Sequence, residues 1–145
     1  MPAYRHILAA LDLSDDSPQI AARALELAGF YQARISLLHV VEYLPIDLTE
    51  ELVLTQPPEV NEHLLQQARV SLEALAAQLG LDPAACRVEL GVTKAEILRV
   101  ADELGADLLV LGSHGRHGLA LLLGSTANSV LHNSPCDVLA IRVGN

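Results

Sequence analysis

The strongest constraint on the fold is a short apolar run that ends in a glycine-rich loop and then continues as a helical pattern. The run covers residues 107–111, glycines follow at positions 112, 115, 118 and 124, and Ser125 opens the helical stretch. Glycine lets backbone N–H groups turn towards one point, and the first turn of a helix adds unpaired N–H groups with partial positive charge. This order of elements predicts an α/β domain whose loop binds an anion. The alternative is that the glycines only form turns.

Acidic residues are missing from the sequence around this loop. The chain has 18 Asp and Glu residues against 9 Lys and Arg, a formal net charge of −9, yet none of the acidic residues lies in positions 108–136. The same stretch carries Arg116 and histidines at positions 114, 117 and 132. Because a carboxylate would repel a negatively charged ligand, this distribution favours an anion as the guest of the loop.

Composition excludes several classes of partner. A net charge of −9 argues against nucleic acid or an anionic membrane surface. No apolar stretch approaches the roughly 18 residues needed to span a bilayer, and the start of the chain has no signal-peptide organisation. We therefore expect a cytoplasmic protein whose partners are neither nucleic acid nor membrane.

The length and the periodicity predict one domain built on a parallel sheet. A chain of 145 residues, 51% apolar and 3% aromatic, fits a single domain over residues 1–145 with an aliphatic core. Strand patterns occur at residues 5–11, 34–41, 86–90, 107–111 and 137–143. Helical patterns alternate with them, so we expect a parallel sheet with helices on both faces.

Local signals mark the ends of the predicted helices. Ser17-Pro18 begins the first, Gly80 ends a long one, and Gly105 ends a third that opens with Thr93-Lys-Ala-Glu96, the spacing of a capping box. The last helix spans residues 125–132. Residues 42–59 are rich in acids and proline, and we expect a surface excursion with partial helical character.

Several side chains near the predicted carboxyl edge of the sheet have a binding and a structural interpretation. Ligands of such sheets lie beyond the carboxyl ends of the strands, where residues 10–14, residues 40–42 and the glycine loop should converge. Asp12 can accept hydrogen bonds from ribose or help hold a metal, or it can cap the first helix. Ser125 can donate to a phosphate or cap its helix, and Arg116 can pair with a phosphate or remain a solvated loop residue.

No arrangement in the sequence is typical of efficient bond breaking. We find no nucleophile elbow, no paired-carboxylate motif and no activated cysteine. His114 and His117 lack a third ligand at a sensible spacing, so we expect no dedicated metal site. His39 is expected to be a hydrogen-bonded core residue, and Cys86 and Cys136 small buried hydrophobes. A binding role is therefore predicted ahead of a catalytic one.

The chain resembles the universal stress protein family, of the UspA-like single-domain type. The matching segments are residues 6–14, 37–41, 106–118, 122–127 and 135–139. The resemblance implies an open sheet of five parallel strands with helices on both faces, a Rossmann-like fold of the adenine nucleotide alpha hydrolase-like type. It also implies a cytoplasmic, stress-responsive homodimer formed through the last strand, residues 137–143.

One branch of that family binds ATP through a motif of the form G-x2-G-x9-G-[ST]. Gly112, Gly115 and the pair Gly124-Ser125 match its fixed positions, but only eight residues, 116–123, separate the second and third glycines. By resemblance Asp12 touches the ribose or base, the backbone of Val40 meets adenine, and the loop surrounds ribose and phosphates. The expected nucleotide-binding residues are Ala10, Asp12, Val40, Gly112, His114, Gly115, Arg116, Gly124, Ser125 and Thr126.

The resemblance leaves two functions open. The first is a regulatory ATP site, with or without Mg²⁺, that turns over at most very slowly because no general base is evident. The alternative is a nucleotide-independent interaction module, as expected of the branch that has lost these glycines. The loop that is one residue short favours this alternative.

Overall fold

The structure is a computed structural model that describes residues 4–42, 46–49, 52–54, 58–113 and 125–143. The strands in these ranges are β1 (His6–Ala10), β2 (Arg34–Glu42), β3 (Ile46–Thr49), β4 (Leu52–Leu54), β5 (Cys86–Gly91), β6 (Leu108–Gly112) and β7 (Asp137–Ile141). The α-helices are α1 (Ser17–Tyr31), α2 (Pro58–Gln78), α3 (Thr93–Leu104) and α4 (Ser125–Asn133), and a short 3₁₀ turn covers Pro83–Ala85. All five predicted strands are confirmed to within two residues at each end.

Five of the strands form one parallel sheet in the order β5–β2–β1–β6–β7. From β1 the chain builds outwards to β2 and β5, and it then returns to the other side of β1 to add β6 and β7. The direction of winding reverses between β1 and β6, so this boundary is the topological switch point.

The sheet is covered by helices on both faces, as predicted. Side chains alternate along a strand, so Ile7 and Ala9 pack in one cluster with α1 and α2, while Leu8 and Ala10 pack in the other with α3 and α4. Leu72 of α2 and Val100 of α3 are fully buried in the two clusters. The described residues thus form three layers, with the parallel sheet between two layers of helices. The pairing within the sheet fixes the positions of the strand ends.

The predicted capping box at the start of α3 is wrong. Val92 is the N-cap residue, and no side chain caps this helix. The Thr93 hydroxyl instead donates to Glu42 Oε1 over 3.1 Å, and the Glu96 carboxylate accepts from Arg99 over 2.7 Å. Charged partners from β2 and from the next helical turn therefore compete successfully for both members of the box.

The segment 42–59 also differs from the prediction. Its described part contains β3 and β4, which pair as an antiparallel hairpin, and within that part no helix begins before Pro58. Residues 46–49 read Ile-Asp-Leu-Thr, an alternation with a period of two that suits a strand better than a helix. This alternation is a strand signal, although the segment as a whole has the acidic, proline-rich composition that is typical of a loop.

Candidate functional site

The switch point brings the carboxyl ends of β1 and β6 side by side. Ala9 pairs with Val110 across the two strands, so Asp12 and Ser113 each lie three positions beyond this pair. The helices that follow these strands, α1 and α4, pack on opposite faces of the sheet, the arrangement that places a binding crevice at the switch point in sheets of this kind. This crevice is the candidate site.

Four predicted site residues lie at this edge of the sheet. Ala10 and Val40 are buried in the cluster that α3 and α4 cover. Gly112 is the last residue of β6, and Thr126 lies in the first turn of α4, next to Ala127 of the same cluster. Ala10 and Val40 therefore share one buried cluster, and Gly112 and Thr126 lie at the end of β6 and the start of α4.

The remaining loop residues stay predictions. His114, Gly115, Arg116 and Gly124 lie outside the described residues. Ser125 is the first residue of α4, so this helix begins where the sequence placed it.

The backbone of Val40 points towards the crevice. The Leu11 N–H donates to the Leu38 carbonyl over 2.8 Å, so the polar backbone groups of Leu38 face β1. Alternate residues of a strand direct these groups to the same side, and those of Val40 therefore face the β1 side as well. The β1 ladder ends at the Ala10–Leu38 pair, so the Val40 amide and carbonyl lie beyond it.

Asp12 is held at the start of α1. Its Oδ1 accepts hydrogen bonds from the Ser14 N–H over 2.9 Å and from the Ser17 hydroxyl over 3.3 Å. Leu13 between them has a φ of 61°, in the left-handed region that a bulky side chain rarely adopts. Asp12 does not cap α1, whose N-cap residue is Asp16, but its carboxylate holds the turn before the helix and the hydroxyl of Ser17, the first residue of α1.

His39 forms a hydrogen bond to the backbone of the residue that follows β1. Its ring is buried, and Nδ1 lies 2.8 Å from the Leu11 carbonyl oxygen. A carbonyl only accepts, so Nδ1 carries the proton and donates. The expectation of a hydrogen-bonded core histidine is confirmed. The contact also fixes Leu11, the residue that precedes Asp12, so His39 lies closer to the site than the sequence indicated.

Ser113 is the residue of this edge that sequence reasoning missed. Its N–H donates to the Ile141 carbonyl over 2.9 Å, and only 7% of the residue is exposed. Within the part of the chain that the structure describes, its hydroxyl has no hydrogen-bond partner. Burying an unpaired hydroxyl costs about 1–3 kcal/mol, and such groups are retained where water or a ligand completes them. A polar partner at the switch point would satisfy this hydroxyl.

The sequence did contain a signal for Ser113. Residues of a strand alternate between the two faces, so Ser113 shares the face of Leu109 and Leu111, which pack under α3 and α4. A hydroxyl that follows two buried leucines at this spacing is expected to be buried as well.

The fold and the crevice place the chain in the class of Rossmann-like α/β proteins. The sequence matches the model of the universal stress protein family over residues 3–142, and the chain belongs to that family. Universal stress protein A homolog 2 of Coxiella burnetii is 39% identical over 144 residues, which cover 99% of this chain and 98% of that protein.

Solved structures share the same architecture. The hypothetical protein MJ0577 superimposes with a TM-score of 0.81 at 25% identity, and the match covers 99% of each chain. A universal stress protein crystallised in complex with cAMP superimposes with a TM-score of 0.57 at 26% identity over 97% of this chain and 98% of that one. This second protein therefore binds a nucleotide. Among the described helices of the present chain, none is long and apolar enough to cross a membrane.

Proposed function

We propose that this universal stress protein binds an adenine nucleotide in the crevice between β1 and β6 as a regulatory ligand. The observation that carries the proposal is the buried Ser113 hydroxyl at the switch point, which has no partner among the described residues. The cAMP complex of a family member at 26% identity supports a nucleotide as the guest. ATP, with or without Mg²⁺, is the nucleotide that the glycine motif predicts.

The described residues supply a distinct environment for each part of a nucleotide. Ala10 and Val40 offer an apolar wall and a backbone edge for the base. The Asp12 carboxylate is an acceptor for sugar hydroxyls. The N-terminus of α4 provides unpaired N–H groups and a partial positive charge for phosphate. None of these groups is arranged to break a bond, which favours occupancy rather than turnover as the signal.

Titration calorimetry on the full chain tests this proposal. We expect saturable binding of ATP at one site per chain, measured with and without Mg²⁺ and compared with GTP and CTP. Mass spectrometry of ligands that co-purify with the protein is the matched cellular measurement. The absence of saturable heat for every nucleotide up to millimolar concentration would overturn the proposal.

We further propose a cytoplasmic homodimer that forms through β7. The two edges of the sheet differ in chemistry. The edge strand β5 carries Arg87 and Glu89, which pair with each other over 2.8 Å, and charged side chains on an edge discourage strand addition. The other edge, β7, presents Val138, Leu139 and Ala140 half-buried. Sedimentation equilibrium is expected to give twice the mass of one chain, and a monomer at all concentrations would contradict this.

A second candidate is the nucleotide-independent interaction module. Phe30 favours it, because this large apolar side chain is 78% exposed. It packs edge-to-face against Tyr31 with 5.1 Å between the ring centroids, and Tyr31 packs in the same way against Tyr4 with 5.0 Å between the centroids. Aromatic residues are enriched at protein interfaces. Co-purifying nucleotide would count against this candidate, whereas nucleotide-free protein that gives no heat with ATP would favour it.

A further inference from the structure

Helix α1 has an exposed stripe of side chains on the side that faces the β7 edge of the sheet. Residues three or four positions apart share one face of a helix, and this spacing joins positions 19, 22, 23, 26 and 30, all of which are exposed. The first four of these positions line a groove of about 300 Å³ together with Ile141 and Arg142, at the carboxyl end of β7. The stripe therefore lies beside an edge strand of the sheet.

The groove between α1 and β7 suits an aromatic side chain. Its apolar members are Ala22 and Ile141, and its charged members include Arg23 and Glu26, which pair with 3.6 Å between Nε and Oε1. A cavity of about 150 Å³ is enough to admit a benzene ring. A guanidinium is attracted to the face of such a ring, and the aliphatic part of the arginine side chain packs against it.

Phe30 lies at the other end of the same stripe and is 78% exposed. Its ring packs against Tyr31, and Tyr31 packs against Tyr4. The Tyr4 hydroxyl donates to Asp137, the first residue of β7, over 2.9 Å. Phe30 is therefore near the amino end of β7, whereas the groove is at the carboxyl end. Ala22 lies eight residues earlier, about 12 Å away along the helix axis, so Phe30 does not reach the groove of its own chain.

The charges of β7 favour an antiparallel neighbour of the same sequence. Asp137 begins the strand and Arg142 follows it, both are exposed, and the residues between them are apolar. Antiparallel pairing brings the aspartate end of one copy to the arginine end of the other, whereas parallel pairing brings like charges together. A two-fold axis through the middle of the strand relates such a pair, and it keeps both α1 helices on the same face of the joined sheet.

We propose that Phe30 of each chain inserts into the groove between α1 and β7 of a second copy of the chain. This rests on the β7 dimer proposed above and adds a contact between the helical layers to the pairing of the strands. The two-fold axis exchanges the ends of β7, so the amino end that carries Phe30 meets the carboxyl end that carries the groove. The contact occurs twice in each dimer, once on either side of the axis.

The dissociation constant of the dimer, measured by sedimentation equilibrium on the full chain, tests this contact. Phe30→Ala is expected to weaken the dimer by at least about tenfold, because two aromatic anchors are lost per dimer. Ala22→Glu is expected to weaken it similarly, because a longer, charged side chain fills the groove. Val70→Ala, at a 58% exposed apolar position of α2, is the matched control and should stay within about twofold of the wild type.

The double variant Phe30→Ala/Ala22→Glu shows whether the two positions belong to one contact. Substitutions that break the same contact are not additive. We therefore expect the double variant to dissociate within about threefold of the weaker single variant. Effects that multiply in full would place Phe30 and Ala22 in separate contacts and overturn the proposal.

Disulfide trapping identifies the residues that meet. Chains with Ala22→Cys are mixed with chains with Phe30→Cys and oxidised with copper–phenanthroline. We expect a covalent dimer from the mixture and from neither variant alone, because a disulfide needs α-carbons within about 7 Å. Val70→Cys in place of Ala22→Cys is the control for random collision, and oxidised wild type is the control for the native thiols of Cys86 and Cys136.

The outcomes distinguish this contact from the dimer on which it rests. A weakened dimer in both single variants and a disulfide between positions 22 and 30 support the proposal. Undiminished dimer affinity in Phe30→Ala, equal weakening in Val70→Ala, or no trapped dimer in the mixture overturns the contact and leaves the β7 dimer in place. A wild type that is monomeric at all concentrations overturns the β7 dimer and the contact with it.

Discussion

At the amino edge of the sheet the Asp107 carboxylate accepts hydrogen bonds from the backbone N–H groups of Arg5 and His6 over 2.9 and 3.1 Å. At the carboxyl edge, a strand length away, the buried hydroxyl of Ser113 has no partner among the described residues. At the amino ends of β1 and β6 the polar groups pair with one another, which we call the closed network. At the carboxyl ends of the same strands one buried hydroxyl is left unpaired among the described residues. Polar groups that satisfy one another stabilise the fold, whereas a buried group left unpaired calls for water, an ion or a ligand to satisfy it.

The closed network extends through the ring of His6. Its Nε2 lies 2.8 Å from Ser36 Oγ, and Arg34 Nη2 lies 3.1 Å from Nδ1. The same Nδ1 also lies 3.3 Å from the Leu104 carbonyl oxygen, so the ring contacts both a guanidinium donor and a carbonyl acceptor on this side. Burial, followed by the charge of Arg34, lowers the pKa of His6 from its ordinary value. The lowered pKa favours the neutral imidazole, and the ring links β1 to Arg34 and Ser36 of β2.

The largest expected effect is on stability and comes from the amino edge. Asp107→Ala removes the acceptor of the Arg5 and His6 amides and leaves the latter buried without a partner. We expect a loss of about 2–3 kcal/mol in the free energy of unfolding, measured by urea denaturation. Asp102→Ala, at an exposed acidic position of α3, is the control and should change stability by less than about 0.5 kcal/mol. A similar loss in both variants would show that the network contributes nothing specific.

The next effect is on affinity and comes from the carboxyl edge. Asp12→Ala is expected to weaken ATP binding by about tenfold to a hundredfold, the range for a hydrogen bond to a charged group. It should cost only about 1 kcal/mol of stability through the lost contacts to Ser14 and Ser17. Titration calorimetry and urea denaturation measure the two quantities on the same samples.

Asp16→Ala is the matched control for Asp12. Asp16 is the N-cap residue of α1, and its side chain makes no capping hydrogen bond. Its removal should leave the ATP affinity within about twofold of the wild type. If both substitutions weaken binding equally, the net negative charge of this region is what matters, and Asp12 has no special position.

Backbone strain occurs at both edges and separates them further. Gln32, at the end of α1, has a φ of 55° and is exposed, so its left-handed conformation serves only to terminate the helix. Gln32→Gly is expected to raise stability by about 0.5–1 kcal/mol and to leave nucleotide affinity unchanged. Gln67→Gly places the same exchange in the middle of α2 and should lower stability by about 1 kcal/mol. A loss of stability in Gln32→Gly would contradict the account of this helix end.

The smallest expected effect is a pH dependence from His6. Its folded pKa is lowered, so below the ordinary value of about 6.5 the unfolded chain binds a proton that the folded chain resists. Stability is therefore expected to be complete above that value and to decline as the pH falls. Urea denaturation between pH 7 and pH 5 should show a weaker decline in His6→Gln than in the wild type. His63→Gln, at an exposed histidine of α2, should retain the full decline.

Most of the fold could be predicted from the sequence because strands and helix ends depend on local patterns. The apolar runs that became β1 and β6 and the glycines that end α2 and α3 act within a few residues of themselves. The predicted capping box does not form, because Thr93 donates to Glu42 and Glu96 accepts from Arg99 instead. The missing partner of Ser113 depends on the tertiary arrangement of β6, β7 and α4, which no local pattern encodes. The sheet edge where β1 and β6 end could thus be predicted from the sequence, but the unpaired hydroxyl there could not.

The most direct test of a nucleotide site at the carboxyl edge is a titration of ¹⁵N-labelled protein with ATP and Mg²⁺, followed by amide chemical shifts. We predict saturable shifts at Asp12, Ser113 and Thr126, which surround the crevice, while the amides of His6 and Asp107 at the opposite edge remain in place. Shifts that are absent at all ATP concentrations, or that cluster at the amino edge, would contradict the assignment of binding to the open end of the sheet.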